Sequence, residues 1–203
     1  MKIETMLPER AKEIRNAVKS KYRKAAKTPS GLFAYPVGIE GALKLGYARS
    51  WLELVPELAA RRFVGVGNPF SIRTPEEGDR VLDAGCGCGF DTFIAASMVG
   101  ITGRAVGIDI TAEMLEVARS ASETFKSGDV QFWEGSIEQL PFEDESFDLV
   151  ISNGVLNLVP DKQAAFSEIA RVLRPNGALA AADLLVTETI PPEVLANTDA
   201  WST

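Results

Sequence analysis

The chain has 203 residues, 46% of them hydrophobic and 24% charged, with a net charge of −7, no histidine and two cysteines. Its length suits one α/β domain with an extension, and no apolar run is long enough for a membrane span or a secretory leader. The lack of histidine excludes serine–histidine hydrolases and histidine-ligated zinc enzymes, and Cys86 and Cys88 are too close in sequence for a disulfide, so a cytoplasmic location is expected.

Charge is uneven along the chain. Residues 1–30 carry nine Lys/Arg and three Glu, so the remainder has a net charge of −13. Either a basic helix lies on an acidic domain, or the segment is an arm for an acidic partner such as nucleic acid. The first reading is the expectation. Residues 8–27 are predicted as a helix: Pro8 suits its first turn, and Ile14, Val18 and Tyr22 recur at spacing four. Thr28-Pro29-Ser30-Gly31 ends it. Residues 33–38 are irregular, and 39–48 and 56–62 are predicted as two short helices. The stretch Gly65-Val66-Gly67-Asn68-Pro69-Phe70 reads either as a sharp turn or as a loop that lets backbone approach a ligand.

From residue 75 strand and helix alternate. Strands are predicted at 81–84, 104–109, 130–134, 147–152 and 178–186. Helices are predicted at 90–99, at 112–126 with Thr111 as N-cap, and from Asp161 to a stop near Pro175-Asn176-Gly177. Five strands joined by helical or long crossovers imply an α/β, doubly wound, mostly parallel sheet. In such sheets the ligand site lies at the carboxyl ends of the strands, where the strand order reverses.

The first strand runs into Asp83-Ala84-Gly85-Cys86-Gly87-Cys88-Gly89. Glycines let backbone turn tightly beside a ligand, and a following helix N-terminus suits an anionic group. The dinucleotide fingerprint G-x-G-x-x-G fails by one residue, because its last glycine falls on Phe90. This spacing keeps a nicotinamide dehydrogenase only as a distant alternative. Asp109 ends the second strand, where an acid can accept from both hydroxyls of a ribose or simply sit at a helix N-terminus. Ile110 and Met114 are placed to cover an adenine or to belong to the core. Cys86 and Cys88 are either small fillers of the loop or a metal pair. The first is favoured, and no metal site is expected.

Taken together, the segment 83–89, Gly107-Ile108-Asp109, Leu140-Pro141-Phe142, Phe147-Asp148-Leu149-Val150 and Leu173-Arg174-Pro175-Asn176-Gly177 resembles a class I S-adenosylmethionine (SAM)-dependent methyltransferase over about residues 65–190. Gly67-Asn68-Pro69, Gly89-Phe90-Asp91-Thr92-Phe93, Thr111-Ala112-Glu113-Met114-Leu115 and Asn157-Leu158-Val159-Pro160-Asp161-Lys162 are most similar to arsenite methyltransferases, with quinone-biosynthesis C-methyltransferases next. The resemblance implies a Rossmann-like core of strand order 3-2-1-4-5 over residues 75–203, preceded by a helical extension or lid over 1–74. It implies that Asp83 and the loop Gly85, Cys86, Gly87 and Gly89 hold the methionyl end of SAM. Asp109 would take the ribose, with Ile110, Met114 and Ile137 enclosing the adenine. Ser136 stands where many relatives carry an acid to the adenine amine, and Asn153 and Val155 would line the site near the sulfonium. Tyr35, Tyr47 and Trp51 are candidates for the acceptor pocket; no catalytic residue is assigned.

The implied activity is methyl transfer from SAM to a small-molecule acceptor by in-line displacement, which needs alignment more than a base. Two departures qualify it. The substrate cysteines of arsenite methyltransferases are missing, with Gly154 and Leu156 after the fourth strand, so arsenic is not the expected acceptor. The strands that normally follow the fifth are also expected to be missing, because residues 187–203 are too few. A fifth strand with an open edge suggests a homodimer that covers it. The competing reading is a catalytically silent SAM-binding or dimerisation module.

Overall fold

In a computed structural model, residues 8–185 and 187 are described. Helix α1 (Pro8–Lys27) leads to three short helices, α2 (Gly38–Lys44), α3 (Arg49–Leu52) and α4 (Glu57–Ala60), and a 3-10 turn at Pro69–Ser71. The alternating part follows: β1 (Arg80–Ala84), α5 (Phe90–Val99), β2 (Arg104–Asp109), α6 (Ala112–Ser122), β3 (Val130–Glu134), β4 (Phe147–Asn153), α7 (Lys162–Val172) and β5 (Leu173–Ala182). All four strand pairings are parallel and the order is β3-β2-β1-β4-β5, as the resemblance implied.

β1 is central and buried from Val81 onward. Its side chains alternate between faces, as the two-residue period of a strand requires. Val81 packs with α5 (Phe93, Ile94) and with aromatic residues of the N-terminal segment, Tyr47, Phe63 and Phe70. Leu82 packs on the other face with Ile169 and Val172 of α7. Helix α5 is therefore covered nearly all round, which fits its apolar sequence. β1 pairs with both β2 and β4, so the order reverses there and a crevice opens at the strands' carboxyl ends.

Four sequence expectations are corrected. The fifth strand is Leu173–Ala182, not 178–186, and 183–185 lie outside it. The Pro-Asn-Gly that read as a helix stop sits inside this strand as a bulge. The register jumps from Phe147↔Leu173 to Leu149↔Ala178, and Asn176 has φ 68°. Helix α6 ends at Ser122 rather than 126, because the chain turns there to set Phe125 against Phe93, with ring centroids 4.9 Å apart. Thr111 occupies the N-cap position but makes no side-chain cap bond. The strands expected to be missing after the fifth would fall beyond residue 187, outside the described residues.

Helix α1 lies across α6 and the loop after β3. Arg15 makes a bidentate ion pair with Glu138 at 2.8 and 2.9 Å, and Arg23 pairs with Glu113. Its basic face thus meets acidic side chains of the same chain. No helix among the described residues is long and apolar enough to cross a membrane.

Candidate functional site

A cavity opens at the carboxyl ends of β1, β2 and β4. Ten of the twelve sequence-predicted residues line it: Asp83, Gly85, Cys86, Gly87, Asp109, Ile110, Ser136, Ile137, Asn153 and Val155. Gly89 and Met114 stand behind this wall. Met114 is fully buried with Cys88, Ala25 and Ala26, which is the core alternative for that residue.

The glycine loop is pinned to its neighbours. Gly85 and Cys86 donate their amides to the Ile108 carbonyl at 2.8 and 3.0 Å. Gly85 has φ +85°, and a Cβ there would lie 2.4 Å from a Val155 methyl. Only glycine allows that approach. The Gly87 amide donates to Asp109 Oδ2 at 2.9 Å, and the Thr111 amide donates to Asp109 Oδ1 at 2.8 Å. Asp109 is thereby fixed at the loop before any ligand binds.

Asp83 is buried and accepts from the Thr92 hydroxyl at 2.6 Å. Asp91, in the first turn of α5, accepts from the Tyr47 hydroxyl at 2.7 Å and from Asn153 Nδ2 at 3.0 Å. Burial, then the charge of Asp91, pushes Asp83 well above the usual carboxylate range. Burial pushes Asp91 up to about 6 against the hydrogen bonds from Asn153 and Tyr47. Asp109 is also raised by burial, opposed by the amides of Thr111 and Gly87. No ion pair among the described residues involves any of the three. Two buried carboxylates and a half-buried one without a cationic partner are costly, and a bound cation would relieve them.

Several lining residues escaped the sequence reading. Asn153, expected near the cavity, also accepts from the amides of Val66 and Gly67 at 2.8 and 3.1 Å, which binds the Gly65-Val66-Gly67 loop to the end of β4. Ser136 donates to Glu138 at 3.0 Å, so an acid is present two residues after the position where one was expected. From the N-terminal segment come Arg15, Val18 and Tyr22 on one face of α1, then Arg62, Phe63 and Val64. Val18 and Tyr22 belong to the stripe read with Ile14 from the sequence, but nothing local says what that face covers. Tyr35, Tyr47 and Trp51 do not line the cavity. Tyr35 donates to the Val64 carbonyl at 3.3 Å, and Tyr47 and Trp51 belong to the aromatic packing.

Cys86 and Cys88 are free and buried. Burial first, then the charges of Asp83 and Asp109, raises Cys86 well above the usual thiol value, and burial pushes Cys88 up to about 12. Both are thiols, not thiolates, at neutral pH. Among the described residues no group of three or more His, Cys, Asp or Glu could hold a metal.

Comparison with known proteins gives several likenesses, three of which follow. The chain is 40% identical over 159 residues to an arsenite methyltransferase of Halobacterium salinarum, covering 78% of this chain and 40% of the relative. It is 34% identical over 202 residues to an arsenite methyltransferase of Mus musculus, covering 94% and 53%. Among solved structures, it resembles an arsenic(III) S-adenosylmethionine methyltransferase of Chlamydomonas reinhardtii with a TM-score of 0.61 and 38% identity, over 80% of this chain and 54% of that one. The chain thus spans about half, or less, of the length of these relatives. A family model described as a methyltransferase domain matches residues 75–203, well over half of the sequence. With the sheet order and the glycine loop at its switch point, this places the chain in the methyltransferase-domain family.

Proposed function

We propose that the cavity binds S-adenosylmethionine and that the chain transfers its methyl group to a small-molecule acceptor. The observation that carries this reading is the set of Asp83 and Asp91, buried, and Asp109, half-buried, around the glycine loop with no ion pair to a cation among the described residues. SAM carries a sulfonium and an ammonium, and such charges suit this lining. When bound, SAM supplies an already electrophilic methyl carbon.

The chain's own residues align and exclude water. Asp109, held by two backbone amides, faces the cavity with its remaining lone pairs and is proposed to accept from ribose hydroxyls. Ile110 and Ile137 are proposed to cover the adenine, and Val155 lies against the loop beside the proposed sulfonium position. Asn153 acts by holding the loop at 65–67 in place. Helix α1, with residues 8–74 as the proposed lid, covers one side of the cavity through Val18 and Tyr22.

Asp91, a lining carboxylate raised to about 6, already accepts from Tyr47 and Asn153 and is not proposed as a base. There is no histidine, and burial raises Tyr22 so that it stays a neutral phenol. The acceptor must therefore be a nucleophile in its own right. Trivalent arsenic held by three thiolates is not proposed, since the only cysteines are two buried thiols in the loop. Along β5 the only strand partner among the described residues is β4, and a homodimer through the other edge is proposed, to be read by sedimentation.

Calorimetric titration of the chain with SAM and S-adenosylhomocysteine tests the reading. Binding that is lost in Asp109→Ala supports it, and no binding of either ligand sinks it. Cofactor binding without methyl transfer across thiol, quinol and amine acceptors would instead favour a silent binding module.

A further inference from the structure

Methyl transfer by displacement moves a positive charge. The attacking atom's lone pair forms the new bond to carbon, and the carbon–sulfur pair stays on sulfur, so the sulfonium becomes a neutral thioether. A neutral nucleophile thus leaves as a cation, whereas an anionic one leaves neutral. The charge of the surrounding wall favours one class of acceptor over the other.

That wall is acidic and aromatic where the methyl group is proposed to lie. Asp91 lines the cavity and accepts from Asn153 Nδ2 at 3.0 Å; Asn153 ends β4, two residues before Val155, which lies beside the proposed sulfonium position. Both side-chain donors to Asp91, Asn153 and Tyr47, are neutral, and none of the ion pairs among the described residues involves it. Phe90 precedes it in the chain. Phe63 packs on Phe90 with ring centroids 4.4 Å apart, and both residues line the cavity. The lining arginines are engaged elsewhere. Arg15 is paired with Glu138, and Arg62 donates to the carbonyls of Ala26 and Lys27 at the end of α1. A carboxylate beside aromatic rings suits an organic cation and repels an anion.

Thiolates and phenolates would enter this wall against its charge. An alkyl amine would be held there as its protonated form, which has no lone pair to offer, because a carboxylate favours the charged state. A pyridine-type ring nitrogen is neutral at pH 7, keeps its lone pair, and becomes cationic only when methylated. Its flat apolar ring also matches Phe63 and Phe90.

We propose that the methyl acceptor is a heteroaromatic nitrogen of the pyridine type, seated against Phe63 and Phe90, and that Asp91 stabilises the cation formed on it. The inference rests on the reading of the cavity as a SAM site and names the acceptor class for it.

The test is calorimetry at pH 7.5 on the full chain saturated with S-adenosylhomocysteine, titrated with three probes of similar shape: N-methylpyridinium, toluene and benzoate. N-methylpyridinium is the product of methylating pyridine, and toluene is its uncharged counterpart. The cation is expected to bind about tenfold to a hundredfold tighter than toluene, and benzoate more weakly than either. Saturation with SAM instead should weaken the cation by about tenfold, through repulsion by the sulfonium, and leave toluene within about twofold. Asp91→Asn should bring the cation down to the affinity of toluene. No detectable binding of the cation, equal binding of cation and toluene, tighter binding of benzoate, or a cation affinity indifferent to the exchange of SAM for S-adenosylhomocysteine overturns the proposal. If the chain binds SAM but the probes fail this pattern, only the acceptor class falls; if it binds neither SAM nor S-adenosylhomocysteine, both readings fall together. Should Asp91→Asn fail to fold, the probe series on the unaltered chain decides alone.

Discussion

The Tyr47 hydroxyl donates to Asp91 at 2.7 Å and joins the N-terminal segment to the helix that follows the glycine loop. Asp91 keeps a second donor, Asn153 Nδ2, at 3.0 Å. Tyr47→Phe should therefore lower stability by about 1.5–3 kcal/mol, the usual worth of a hydrogen bond to a charged group. Urea denaturation at pH 8, where Asp91 is ionised, measures it. A loss no smaller at pH 5 would show that the bond does not depend on the charge.

Asp91 titrates at about 6 in the fold, above the carboxylate value of 3.8. Between these values the folded chain binds more protons than the unfolded one, so this group makes stability fall as pH rises from about 4 to about 6. Asp83 and Asp109 are raised too and act in the same direction. Asp91→Asn should remove its share of this slope, which appears as a difference between the two chains' denaturation profiles across that window.

Ligand binding should run the other way. A cationic ligand favours ionised Asp91, so SAM affinity should rise through pH 6 and then level off. S-adenosylhomocysteine lacks the sulfonium charge and should show a shallower rise. Calorimetry at several pH values compares them; an affinity independent of pH would place the cation away from Asp91.

Two glycines of the loop should differ in cost. Gly85 has φ +85° and no room for a Cβ against Val155, whereas Gly87 has φ +52° and its nearest obstacle is the Met114 sulfur at 4.0 Å. Gly87→Ala should lose about 1–2 kcal/mol from backbone strain alone, and Gly85→Ala more, because overpacking adds about 1–3 kcal/mol. Adding Val155→Ala should recover the steric part only. Thermal denaturation of the three variants separates the two terms.

Glu138 should matter more than its partner Arg15. Its side chain is 10% exposed and also accepts from the Ser136 hydroxyl and the Asp161 amide, whereas Arg15 is 37% exposed. Arg15→Ala should cost about 1 kcal/mol or less, and Glu138→Ala about 1–3 kcal/mol, since the latter leaves the Asp161 amide and Ser136 without their acceptor. Hydrogen exchange of α1 should quicken in both.

Much of this architecture was legible because its signals are local. The α5, β2 and β3 boundaries follow from apolar runs punctuated by glycine or capped by an acid, and the predicted and observed ranges coincide. β5 was misread because Pro175-Asn176-Gly177 has the chemistry of a helix stop. Only pairing with β4 makes it a bulge. The strand-end residues Asp83, Asp109 and Asn153 were found because topology alone brings them to the switch point. Arg62 and Tyr22 were not, since their place depends on α1 folding back over a sheet that begins more than fifty residues after Tyr22. The aromatic candidates failed for the same reason: Tyr47 carries a hydroxyl suited to a ligand, but Phe63, Phe70 and Phe90 enclose its ring.

The Asn153 carboxamide has a consequence for how the chain can be divided. Its oxygen serves the amides of Val66 and Gly67, and its nitrogen serves Gly67 O, Tyr47 and Asp91. A cut near residue 74 would remove the Tyr47 hydroxyl and the Val66 and Gly67 backbone groups, and leave Asn153 and Asp91 only each other of these partners. The two halves should melt in one transition, and a fragment beginning at residue 75 should expose apolar surface and aggregate. The region that carries the family's signature is thus expected to fold only together with the N-terminal segment, which denaturation of the fragment would check.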